Sequence, residues 1–417
     1  MTIIRQDQQD KNAISIIRES SKKTGLDIHR AKIRRTSSRF CLGVEHGDYN
    51  GTELFGVGTD RFIWLGYKPN DKGQIRAYSI NFPDDGIIDL ELGSIEKNDS
   101  EKLKNSWGRF VGGTDFVLRN QGYKLTRGID AVIYGNIPGG GMSRSASLTL
   151  NLILSLLEVN EIEITDKFKL AELAKSVEND FIGSPCGILD QIMIAFSKQG
   201  YGTLYNPKKQ NVSHIPAGKW PIDFRFVCLD TGTVRPGLEK STYKIRRAQC
   251  QEFVAILKKN GYDIEHLADI KEESRFDEIC AGFGSSYPNH CELLRYIFFA
   301  QKRLYQMLDA WRSGDIAAIG RIFRQDGIGL RDEYKISGPE LETMCEIARG
   351  APGVLGERML GGGDKGAAGV IVKTENLDDL KKAIDEIYPK KYPSLADKYA
   401  IHTCNTVDGI VLLEDLI

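Results

Sequence analysis

No apolar run in this 417-residue sequence approaches the ~20 residues that a bilayer-spanning helix needs. The nearest candidate, 148–159, is interrupted by Thr149, Asn151, Ser155 and Glu158. The opening segment, 1–12, is polar and charged, so no signal peptide is expected and a cytoplasmic setting is the expectation. An excess of one charge is also missing, since 56 Lys and Arg stand against 57 Asp and Glu. That balance excludes a broad basic field for nucleic acid, and any phosphate must be gripped locally. The eight cysteines are scattered without a CxxC pair, which suggests neither a zinc site nor a disulfide framework. The expected protein is a monomer with neither a nucleic-acid nor a membrane partner.

What is present is ordinary globular composition, 41% hydrophobic and 27% charged, in a chain long enough for two cores. An amphipathic helix is expected over 13–30, followed by β-like runs at 61–67, 75–82 and 87–92. A helix begins near Trp107. Segment 128–138 alternates apolar and polar residues as a half-buried strand does, and 146–159 reads as a buried helix. Another helix is expected over 167–178. The chain turns polar over 200–221, which places a soft boundary between domains 1–218 and 219–417. A strand over 224–230 opens the second half. Helices over 241–260 and 292–312 follow it, and strand and helix signals at 360–372, 377–387 and 410–413 close the chain. Ribbons and helices mix without regular βαβ spacing, which indicates an α+β fold.

Three segments carry candidate chemistry. In 138–147, Gly139, Gly140 and Gly141 precede Ser143, Arg144, Ser145 and Ala146 at the head of an apolar helix. Glycines let a backbone approach a ligand closely, and a helix N-terminus attracts anions. The same string also suits a serine-capped glycine turn. It is neither a Walker A loop nor a nucleophile elbow, because both motifs need residues that are absent. A second glycine run, Gly361-Gly362-Gly363-Asp364-Lys365-Gly366, lies late in the chain. In 39–51, Arg39, Glu45, His46 and Asp48 supply the charged groups that grip hydroxyls, although a polar β-turn would use similar residues. In 174–191, Glu178 ends a helix and Asp190 follows a Gly-Ser-Pro-Cys-Gly turn. Asp190 suits a general base and a carboxylate near a serine suits Mg²⁺, whereas the plainer alternatives are an N-cap aspartate and a solvated glutamate.

Taken in order, these pieces resemble one family. Segment 39–51 resembles the galactokinase signature, whose core reads G-E-H-T-D-Y-N-G. Segment 138–147 resembles the phosphate loop of the GHMP kinases, 185–191 resembles P-C-G-I-M-D-Q, and 358–366 resembles R-M-T-G-G-G-F-G-G. Weaker likenesses lie at 107–112, at 230–232, at Tyr243 with Arg246 and Arg247, and at 404–409. The resemblance covers nearly the whole chain.

The resemblance implies a two-domain GHMP kinase fold, with a ribosomal-protein-S5-like N-terminal domain, a C-terminal α/β sandwich and the active site in the cleft between them. It implies transfer of phosphate from ATP to the anomeric hydroxyl of galactose or a closely related sugar, with Mg²⁺ as cofactor. Asp190 would act as base or orient the acceptor, with Arg39 beside it. Glu45, His46, Asp48, Gly187 and Tyr243 would hold the sugar. Gly139, Gly140, Gly141, Ser143, Arg144, Ser145 and Ala146 would surround the phosphates, Trp107 and Phe110 the adenine, and Ser145 and Glu178 the metal. N-acetylgalactosamine, arabinose and a uronic acid are alternative acceptors. A non-catalytic sugar- and ATP-binding regulator on the same fold is a further alternative, disfavoured by the presence of Ser145-Ala146, Arg39 and Asp190.

Departures from the family pattern fall at Val44 and Gly47, where glycine and threonine are usual. They fall also at Arg144, in place of a small residue, and at Asp364-Lys365, in place of Phe-Gly.

Overall fold

Strand Gln74–Ser79 buries every second residue, as an alternating segment does, whereas the longer strand Lys32–Gly43 is buried along nearly its whole length. The computed structural model describes residues 6–26, 28–234 and 242–413. Its first sheet contains β1 (Lys32–Gly43), β2 (Leu54–Asn70), β3 (Gln74–Ser79), β4 (Ile87–Glu91), β5 (Gly128–Gly135), β6 (Tyr201–Asn206) and β7 (Asn211–Pro216). The second sheet contains β8 (Phe224–Asp230), β9 (Val354–Leu360), β10 (Ala367–Lys373) and β11 (Ala400–Cys404). The last strand, β12 (Ile410–Leu412), leaves that half and pairs antiparallel with β1. The first sheet runs β12-β1-β2-β5-β3-β4, with β6 on β2 and β7 on β6, and the second runs β11-β8-β10-β9. Helices and sheets thus mix as α+β. Phe40 of β1 packs on Phe226 of β8 at 4.8 Å, so the two sheets share core contacts.

Helix Arg144–Val159 is buried on nearly every side. The polar residues that interrupt its apolar run pin it to β1. Asn151 Nδ2 donates to the Arg34 carbonyl at 3.1 Å, and Arg34 Nη1 donates to Ser155 Oγ at 2.6 Å. Buried polar groups need such partners, and these fix the helix register against the sheet. No helix among the described residues is long and apolar enough to cross a membrane.

Several boundaries differ from expectation. The leading helix is Gln6–Thr24, ended by Gly25 at φ 71°. Glycine supplies that left-handed conformation without a Cβ penalty. The expected residue 27 lies outside the described residues, as does Ser241 at the head of helix Thr242–Lys259. Segment 200–221, read as polar connection, contains the β6–β7 hairpin, because Tyr201, Thr203 and Tyr205 alternate inside polar flanks. Helices Glu273–Phe283, Ile316–Asp332 and Pro339–Gly350 carry no sequence assignment above.

Candidate active site

The glycine run 139–141 leaves β5 and enters the buried helix, which aims the helix N-terminus into a cleft of about 540 Å³. The late glycine loop closes on it from β9 and β10. A Cβ at Gly140 would lie 2.6 Å from the Gly366 Cα, so only glycine lets the two backbones meet. The Asp230 carboxylate, at the end of β8, accepts from the Gly139 N–H at 3.1 Å and the Gly232 N–H at 2.9 Å. Arg144 lines the same cleft, with its guanidinium 5.2 Å from the centre of the Phe82 ring. Burial lowers its pKa and attraction to Asp230 opposes that shift. Ser143 Oγ and Trp107 Nε1 are buried in the cleft wall with no hydrogen-bond partner among the described residues. Phe110 lines the end of the cleft beside Trp107.

The polar end is built from β1 and the turn that follows it. Arg39 donates from Nε to Asp190 Oδ1 at 2.8 Å and from Nη1 to the Gly141 carbonyl at 2.7 Å. Burial disfavours the Arg39 charge, but Asp190 and Glu45 outweigh it and raise the pKa. Asp190 is in the first turn of helix Leu189–Phe196 and makes no capping hydrogen bond, so it is not an N-cap.

Glu45 accepts from the Gly361 N–H at 3.0 Å, with Arg358 3.7 Å away. Burial pushes its pKa up, against Arg39 and Arg358. Asp48 accepts from the N–H groups of Leu189 at 3.1 Å and Tyr49 at 2.9 Å, and burial again raises its pKa. A Cβ at Gly187 would lie 1.6 Å from Asp48 Oδ2, so glycine is required there. His46 Nδ1 meets the Tyr49 hydroxyl at 2.9 Å, and its ring lies 5.2 Å from Tyr243.

Glu178 is not at a solvated helix end. Helix Lys167–Ser176 runs into a π-helical turn, Val177–Ile182, which turns Glu178 into the cleft. Such turns are frequent at functional sites. Burial, reinforced by Asp190, raises the Glu178 pKa to about 7, while the Ser145 hydroxyl and Arg109 pull it down. No cluster of three or more His, Cys, Asp or Glu among the described residues forms a metal cage. A hydroxyl and one carboxylate do fit Mg²⁺, which often takes few protein ligands beside phosphate oxygens.

All but one of the residues expected at the site line this single cleft. The exception is Ala146. Its side chain is fully buried and packs into the core below the loop, so it makes no ligand-facing surface. Asp364 does not face the cleft either. Its Oδ2 accepts from the Thr242 N–H at 2.6 Å, supporting the start of the helix that carries Tyr243. Sequence reasoning had Arg358 only as the first residue of the 358–366 motif and gave it no role; it is buried and donates to Asp326 Oδ2 at 3.0 Å and to the Cys41 carbonyl at 2.8 Å behind Glu45. It also gave no role to Phe82 or Arg109 and missed the grip of Asp230 on the glycine loop. The likeness at 230–232 was the one signal for that grip.

The chain is similar to known proteins in sequence and fold. Residues 110–198 match the GHMP kinases N terminal domain. The chain is 31% identical over 352 residues to a galactokinase from Limosilactobacillus fermentum, covering 83% of this chain and 87% of that one. It is 30% identical over 382 residues to a galactokinase from Chloroflexus aggregans, covering 91% of each. Among solved structures, Lactococcus lactis galactokinase in complex with galactose superposes with a TM-score of 0.86 at 26% identity, covering 95% of this chain and 99% of that one. Methanococcus jannaschii mevalonate kinase, at 16% identity and a TM-score of 0.60, shares the fold. The chain therefore belongs to the galactokinase family of GHMP kinases and is an ATP-dependent sugar kinase.

Proposed function

We propose that the protein transfers the γ-phosphoryl group of ATP to the anomeric hydroxyl of galactose or a sugar of the same configuration. One observation carries this reading. Arg39 joins the carboxylate of Asp190 to the carbonyl of Gly141, and so ties the hydroxyl-binding end of the cleft to the phosphate loop.

In this reading Glu45, His46 and Asp48 hold sugar hydroxyls, with the Gly187 backbone and Tyr243 beside them. Asp190 orients the acceptor hydroxyl and takes its proton as the oxygen–phosphorus bond forms. Arg39 pairs with Asp190 and offsets the charge that develops. The N–H groups of Gly139, Gly140 and Gly141 cradle phosphate oxygens at a helix N-terminus, Ser143 donates its hydroxyl, and Arg144 adds a charge-assisted contact. Trp107 and Phe110 wall the adenine. Ser145 and Glu178 would hold Mg²⁺, which supplies positive charge to the phosphates when bound. Phosphoryl transfer needs little beyond such positioning and electrostatics. Three carboxylates near the acceptor suit a neutral sugar better than a uronate.

We further place the boundary between domains 1–218 and 219–417, where the chain leaves the β6–β7 hairpin for β8. A monomer in a cytoplasmic setting remains part of this proposal.

The test is ADP release with a panel of galactose, N-acetylgalactosamine, arabinose and galacturonate, with the phosphorylated position read by NMR. Galactose is expected to be turned over at C1. Sugar-dependent ATP binding without turnover of any sugar would instead favour a regulator.

A further inference from the structure

The turn that presents Glu45, His46 and Asp48 contains a glycine where the family signature carries threonine. Gly47 is not followed by empty space. A Cβ built on it would fall 2.0 Å from Thr52 Oγ1, and 3.0 Å from both the Val44 Cβ and the Val44 carbonyl oxygen. Two heavy atoms cannot share that volume, so the Thr52 hydroxyl already occupies the space into which a side chain at 47 would project. Thr52 is fully buried, and its Oγ1 has no hydrogen-bond partner among the described residues. Thr52 does not line the cleft.

The backbone around this contact is tightly wound. The Gly47 carbonyl accepts from the N–H groups of both Asn50 and Thr52 at 3.0 Å, and Asn50 Nδ2 donates to the His46 carbonyl at 2.8 Å. His46 itself has φ 60°, a left-handed conformation that costs a non-glycine residue energy and persists only where its surroundings enforce it. The packing under residue 47 therefore decides where His46 and Asp48 point.

We propose that Thr52 is a positioning residue for the sugar site, and that its side chain fills from below the volume that the family fills with threonine at 47. The role is steric, since the hydroxyl makes no bond there. Positions 47 and 52 act as one exchangeable unit: one of them carries a side chain and the other must be glycine or nearly so.

The proposal rests on the sugar-kinase reading and is tested with galactose and ATP. Gly47→Thr alone is expected to raise the galactose KM at least about tenfold and to leave the ATP KM within about twofold, because overpacking distorts only the hydroxyl-binding turn. Gly47→Thr combined with Thr52→Gly is expected to bring the galactose KM back to within about threefold of wild type, the non-additivity of two contacting sites. A double variant as impaired as Gly47→Thr overturns the proposal, as does a single variant that matches wild type.

Should Gly47→Thr fail to fold, Thr52→Ala and Thr52→Val decide the matter. Alanine opens space below the turn and is expected to raise the galactose KM about fivefold, whereas isosteric valine keeps it near wild type. Equal values for alanine and wild type overturn the idea. Melting temperatures of the Gly47 and Thr52 cycle separate this from the function reading. Coupling between the two positions persists there even if galactose is the wrong acceptor.

Discussion

Arg39 Nε and Nη2 both lie 2.8 Å from one oxygen of Asp190, Oδ1. Among the described residues, no hydrogen bond reaches the other oxygen. One lone-pair face of the carboxylate is therefore committed to a fixed cation, and the other faces the cleft. That division suits a group that is held in place on one side while it meets a hydroxyl on the other.

Replacing Asp190 by Asn keeps the shape and removes the proton acceptor. Turnover is expected to fall by roughly 10³, within the usual range for a lost acid–base group. Affinity for a non-hydrolysable ATP analogue, measured by calorimetry, is expected to stay near wild type. Near-normal ADP release by this variant would refute the role.

Arg39→Lys tests the bridge. A lysine carries one nitrogen and cannot serve both Asp190 and the Gly141 carbonyl in the forked geometry of a guanidinium. The expected loss in kcat is roughly 100-fold, the size seen when a preorganised donor is removed. Unchanged kcat with only a raised galactose KM would show that Arg39 merely shapes the sugar pocket.

Arg144→Ala is expected to raise the ATP KM about tenfold, the loss of one charge-assisted contact. The galactose KM should not move. If neither constant changes, the arginine serves only its contact with Phe82.

Glu178 makes stability depend on pH. Burial and the nearby Asp190 lift its carboxyl from 4.5 to about 7. A group whose folded pKa is raised favours folding while protonated, so its contribution is complete below the unfolded value of 4.5 and is lost as pH rises through about 7. In chelator, wild type should lose stability relative to Glu178→Gln between about pH 5 and pH 8, by at most on the order of 3 kcal/mol. Urea unfolding of both proteins measures this. A constant gap across that window would exclude a raised carboxyl.

Asp364→Ala removes the acceptor for the Thr242 N–H, one of the unpaired donors at a helix start. The expected cost is about 1 kcal/mol of stability, with a galactose KM raised a few-fold through Tyr243. An intact melting temperature would show that the helix start is supported elsewhere.

Legibility differed between local and remote features. The strand at 128–135, the buried helix after the glycine loop and the strand at 224–230 were readable because their apolar periodicity is local. Strand β1 was not. Its first eight residues, Lys-Ile-Arg-Arg-Thr-Ser-Ser-Arg, hold a single apolar side chain and carry no strand assignment above, yet Arg34, Arg35 and Arg39 are all buried. Each is compensated by a carboxylate remote from it in the chain, namely Glu158, Asp10 and Asp190. Pairing of that kind makes buried charge tolerable, and it is invisible until the chain is folded.

By itself the sequence determined the parts of the site: four motifs in the order of one family, each with its charged or glycine residues at fixed local spacing. Tertiary structure alone decided how those parts act on one another. It brought Arg39 onto Asp190 and Gly141, and set Arg358 and Asp326 behind Glu45. It turned Glu178 inward through a π-helical turn and sent Asp364 away from the cleft to a helix start. Local spacing follows from covalent geometry, whereas these contacts depend on how separate elements pack, which no single segment encodes.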